Sequence, residues 1–68
     1  RVGEMALLKA TLLETRAKLV VRGGLFDSGE ELCRTCISIR TVMLGHDHAQ
    51  TLAAHETLAK VVRYRSKI

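Results

Sequence analysis

Apolar residues recur along this chain at helical spacing, in three stretches separated by glycine-bearing turns. In the first, from about Glu4 to Arg22, Met5, Leu8, Leu12, Leu13, Ala17, Leu19 and Val20 approximate an i, i+3, i+4, i+7 pattern, which predicts a helix with one buried stripe. Gly23 and Gly24 end it, because glycine readily takes the left-handed conformation that terminates helices. The second helix is predicted over about 28–44. Asp27 or Ser28 is placed to cap it, Asp27 and Glu30 have capping-box spacing, and Glu30 and Glu31 fall in the first turn, where the helix dipole favours acids. Its stripe is Leu32, Cys36, Ile39 and Met43, widened by Cys33 and Ile37, and Gly45 ends it. The third is predicted over about 48–66, with Leu52, His55, Leu58, Ala59 and Val62 as its stripe. The valine pairs 20–21 and 61–62 lie inside longer helical periods and read as helix. Turns this short force neighbouring helices to run antiparallel, so the expectation is a single all-α domain over 1–68.

Composition narrows this picture. The chain has 68 residues, enough for one small domain, and a domain of that size buries only roughly 60% of its unfolded surface. Apolar residues make up 47% and charged residues 26%, which argues against disorder. Phe26 and Tyr64 are the only aromatics, so the core has to be aliphatic. The net charge is +4, with Lys and Arg interspersed among acids except at the end, where Lys60, Arg63, Arg65 and Lys67 follow one another without an acid between them. Two cysteines are too few for a disulfide scaffold, and a cytoplasmic location is the expectation. No apolar run approaches the roughly 20 residues that cross a bilayer, and Lys9 and Glu14 interrupt the first apolar run too early for a signal peptide. Arg1 rather than Met opens the chain and Ile68 follows directly on a helical pattern, so the expectation is a segment of something longer.

The chain also repeats itself. A shift of 42 residues superposes Gly3 on Gly45, Glu14 on Glu56, Thr15 on Thr57, Ala17 on Ala59, Lys18 on Lys60 and Val20 on Val62. Val2/Leu44, Leu19/Val61 and Phe26/Ile68 are conservative pairs at the same offset. By this register the first and third helices are the same element of successive units, and the second completes the first unit. A helix pair of this kind cannot bury its apolar faces alone and is covered by the next unit.

Within that period, the run from Arg40 to Leu52 and the following Leu58-Ala59 resemble the tetratricopeptide repeats of kinesin-light-chain type, which also occur in arrays attached to signalling NTPases. The matching residues are Leu44, Gly45, Asp47, His48, Thr51, Leu52, Leu58 and Ala59, with Gly29 and Cys36 at the small-residue positions of helix B. His46 and Ala49 stand where the family usually has Pro, and Thr57 and Thr15 where it has Asn. The resemblance implies helices A, B and the A of the next repeat, in a right-handed α-α solenoid whose A helices line a concave groove. Carried over by position, Thr11, Glu14, Lys18 and Val21 would face that groove in the first unit, and Ala53, Glu56, Lys60 and Arg63 in the second. The implied function is a non-catalytic protein-interaction scaffold. Its expected partners are a protein or peptide, with acidic segments favoured, recognised by Lys18, Lys60, Arg63, Glu14 and Glu56, together with neighbouring repeats of a longer chain.

Other chemistries find less support. The Cys33-x-x-Cys36 spacing lies within a helix without a preceding strand, so both thiols read as buried structural residues rather than a redox pair. His46, Asp47, His48 and His55 do not form a tetrahedral ligand set, so no metal and no cofactor is expected; His48 is expected to bridge the turn, and His55 to sit between helices. No nucleophile elbow or phosphate-binding loop is present, so no catalytic residue is assigned. Two alternatives to peptide binding remain. One is a purely structural, self-associating segment of a solenoid. The other is a basic nucleic-acid surface, which the scarcity of aromatics disfavours.

Overall fold

The computed structural model describes residues 1–67; the Phe26/Ile68 pairing therefore lies outside the described residues. Three α-helices account for most of the chain: α1 spans Val2–Arg22, α2 Phe26–Leu44 and α3 Ala49–Ser66. Among the described residues there is no strand.

The first turn closes by backbone geometry alone. Gly24 adopts φ +88, its N–H donates to the Val21 carbonyl at 3.0 Å, and the Leu25 N–H reaches back to the Val20 carbonyl at 2.9 Å. This paired set of bonds satisfies carbonyls that the end of α1 leaves open, and the left-handed residue it needs is a glycine. The helix that follows starts earlier than the sequence predicts. Leu25 is its N-cap, with no side-chain hydrogen bond, and Asp27 lies inside its first turn. Neither Asp27 nor Ser28 caps it, and the capping box is not formed, because both already lie inside the helix; Arg65 Nη1 of α3 lies 3.0 Å from Asp27 Oδ1 and 2.8 Å from Glu30 Oε1.

The second turn, between α2 and α3, is built on Gly45 (φ +91, ψ 155), a region that essentially only glycine occupies. The Gly45 carbonyl accepts the Thr51 hydroxyl at 2.8 Å, and His48 Nδ1 accepts the Gln50 N–H at 3.1 Å as the N-cap of α3. Leu44, Gly45, His48 and Thr51 thus all belong to this corner, with Thr51 fully buried, whereas Asp47 is exposed to solvent.

Packing follows small residues. Ala10, Cys36 and Ala54 form one buried cluster; Ala17, Cys33 and Val61 form the other. The order of these partners along each helix makes α2 antiparallel to both α1 and α3, and α1 parallel to α3. Gly29 sits at the closest approach of α2 to α1: a Cβ there would overlap Val21 Cγ2 and lie 3.4 Å from the Ala17 carbonyl oxygen. Because Ala10, Ala17 and Gly29 bring the backbones together, the large aliphatic residues of α1 are left on its far side. Met5, Leu8, Leu12 and Leu19, expected in the core, are exposed by 66%, 65%, 69% and 59%. Met43, Leu52, His55 and Ala59 are likewise exposed rather than buried. Leu13, Val20, Leu32, Ile37, Ile39, Leu58 and Val62 are half-buried at the edges of the two clusters.

Candidate functional site

The parallel helices α1 and α3 leave a cleft of about 330 Å³ between them. From α1 it is lined by Lys18, Val21 and Arg22, and from α3 by Thr57, Lys60, Val61 and Tyr64. On each helix these residues recur at i, i+3, i+4 spacing, so they share one face. Val21 and Val61 form an apolar floor, and Tyr64 is a half-exposed aromatic wall. Lys18, Arg22 and Lys60 bring three cations, and among the described residues no acid lines the cleft.

Of the residues expected to face a groove, Lys18 and Lys60 are brought together here. Glu56 and Arg63 are exposed and do not line the cleft. Glu14 is placed elsewhere. It is half-buried, its carboxylate accepts both terminal nitrogens of Arg40 at 3.2 and 3.3 Å, and Oε2 also accepts the Thr57 hydroxyl at 3.3 Å. Arg40 in turn donates to the Gln50 carbonyl at 3.0 Å and is 4% exposed. A buried guanidinium needs a partner of opposite charge, and Glu14 is that partner. An acid expected on the groove is therefore an internal tie between all three helices.

Sequence reasoning missed Arg22 and Tyr64 at the cleft and Arg40 in the interior. The first two had a legible signal. Arg22 follows Lys18 by one helical turn, Tyr64 follows Lys60 by one turn, and the 42-residue shift superposes Arg22 on Tyr64. Arg40 had none, since no sequence pattern distinguishes an arginine that is buried from one that is solvated.

The basic end of the chain is less free than its composition implies. Arg65 is engaged by Asp27 and Glu30, and Glu30 also accepts Arg34 Nη2 at 3.1 Å. His55 is exposed and does not sit between helices. Among the described residues, no three His, Cys, Asp or Glu side chains converge as metal ligands. The two cysteines are free and buried. Burial pushes both thiols up from their ordinary range. At Cys33 the neighbouring Cys36 and Glu14 add to this and Lys18 opposes it; at Cys36 Arg40 opposes it. Thiols held protonated are poor nucleophiles. Among the described residues, no helix is long and apolar enough to cross a membrane. Set against family models, curated proteins and solved structures, the chain matches none.

Proposed function

We propose that this chain is a non-catalytic protein-interaction module, a unit and a half of a tetratricopeptide-like repeat of the kinesin-light-chain kind, which binds an acidic peptide segment in the cleft between α1 and α3. The observation that carries the reading is the convergence of Lys18, Arg22 and Lys60 on one cleft without an acid among the described residues of its lining. The mechanism is passive. Two parallel helices hold the cations in place over an apolar floor, an extended segment lies along the cleft, and its carboxylates accept charge-assisted hydrogen bonds. Val21, Val61 and Tyr64 supply contact area for its apolar side chains. The parallel course of α1 and α3 is what successive A helices of a right-handed solenoid would have, and Leu52 and Ala59 would then receive a neighbouring repeat. A reducing, cytoplasmic setting belongs to this reading and is supported by the two buried free thiols.

The test is fluorescence anisotropy of a labelled Asp/Glu-rich peptide titrated with the full chain, against a Lys-rich peptide of equal length. We expect selective binding of the acidic peptide. The Lys18→Glu, Lys60→Glu double variant should weaken it by about tenfold or more. Equal affinity for both peptides, or an unchanged affinity in the variant, sinks the reading.

A purely structural, self-associating role is the second reading, favoured by the exposed stripe of Met5, Leu8, Leu12 and Leu19. The nucleic-acid alternative is weakened by the pairing of Arg65 with Asp27 and Glu30.

A further inference from the structure

Helix α1 has two apolar faces of different character. One carries Ala10 and Ala17 and is buried against α2 and α3; the other carries Met5, Leu8, Leu12 and Leu19 and is exposed. Four large aliphatic side chains in a line form a patch of a kind that soluble monomers seldom leave uncovered. Their spacing is specific. Met5, Leu12 and Leu19 are seven residues apart, Leu8 stands between the first two, and Thr15 takes the corresponding place between the last two. Over these two heptads the spacing matches the a/d seam of a two-helix coiled coil, which repeats every 3.5 residues.

We propose that the outer face of α1 is a self-association surface on which a second copy of the chain docks its own α1, parallel and in register. The charges beside the seam select both partner and orientation. In a parallel pair, the residue before each a position faces the residue five further on in the other copy. Glu4 then meets Lys9, twice by symmetry, and Thr11 meets Arg16 without conflict. Antiparallel pairing is worse in either register: with Leu8 against Leu12 it sets Lys9 beside Arg16 twice, and with Leu8 against Leu19 it pairs Glu4 with Lys18 but brings Arg22 into the seam against Met5. Glu4 and Lys9 are exposed, and among the described residues neither forms an ion pair within its own chain. The seam lies on the side of α1 opposite Ala10 and Ala17, so α2 and α3 do not obstruct it. The proposal does not rest on peptide binding at the cleft.

Sedimentation equilibrium of the full chain tests it. We expect a concentration-dependent rise from 7.5 kDa toward twice that mass. Leu12→Glu removes two seam leucines per dimer and should weaken association by roughly a hundredfold or more. Since Leu12 is exposed, its helical circular dichroism should stay unchanged. Thr15→Cys places a thiol on the seam facing its own copy and should give a disulfide-linked dimer on mild oxidation, one that the parent chain does not form. A chain monomeric at high micromolar concentration overturns the proposal. So does a dimer indifferent to Leu12→Glu, which would place the contact elsewhere, and so does a dimer that Thr15→Cys fails to cross-link.

Discussion

Arg40 and Glu14, 26 residues apart, face each other as a two-pronged ion pair in which Nη1 and Nη2 of the arginine each donate to one carboxylate oxygen, at 3.3 and 3.2 Å. The pair joins α2 to α1, and both members also reach α3, Arg40 through the Gln50 carbonyl and Glu14 through the Thr57 hydroxyl. Together they tie all three helices by polar contacts. Arg40 Nε has no partner in this arrangement, so the guanidinium is held by three hydrogen bonds rather than a full set.

Removing one member leaves the other buried and uncompensated. Arg40→Ala should cost about 3–5 kcal/mol, measured by urea unfolding followed by circular dichroism. Replacing both partners together, as Arg40→Met with Glu14→Leu, should cost much less than either single change, because no charge then remains buried. A double variant as unstable as Arg40→Ala would contradict this account of the pair.

Gly29 offers a test in which the sign of the effect decides. In an exposed helix interior, Gly→Ala stabilises by roughly 1 kcal/mol. Here the added methyl meets Val21 Cγ2, so Gly29→Ala should instead destabilise by about 1–3 kcal/mol. Adding Val21→Ala should restore part of the loss. A stabilised Gly29→Ala chain would mean that α1 and α2 do not approach as closely as described.

The two thiols predict an alkaline limit. Burial raises both above the ordinary thiol value of 9.0, so above that pH the unfolded chain loses protons that the folded chain retains. Stability is then independent of these groups below about pH 9 and falls as pH rises beyond it. In Cys33→Ala with Cys36→Ala, the slope of unfolding free energy against pH in that range should flatten. Native-state labelling with a thiol reagent should be slow at neutral pH and become fast only in denaturant.

Arg65 is expected to matter little. It is about half exposed, and Asp27 is almost fully solvated, so solvent screens the attraction. Arg65→Ala should lose less than about 1 kcal/mol, and the difference should shrink with added salt. A larger, salt-insensitive loss would mean that the contact with the half-buried Glu30 dominates.

Much of the fold is legible along the chain, and the exceptions have a common cause. Helix ends at Gly23–Gly24 and Gly45 can be read because a positive φ selects glycine locally. The start of α2 cannot, because its N-cap is Leu25, whose side chain makes no capping bond and so leaves no local mark in the sequence. Lys18 and Lys60 can be matched by the 42-residue shift, whereas the diversion of Glu14 to Arg40 cannot, since it depends on a third helix crossing at that level.

Periodicity and glycine placement, both local properties, determined three helices with two tight reversals. Only the tertiary structure decided which apolar face of α1 is the core. By hydrophobicity alone, Met5, Leu8, Leu12 and Leu19 are the stronger stripe. Yet Ala10 and Ala17 are the buried ones, because close helix approach is limited by side-chain volume and the smallest residues allow the nearest contact. The same geometry left the larger side chains facing outward and set three cations around one cleft.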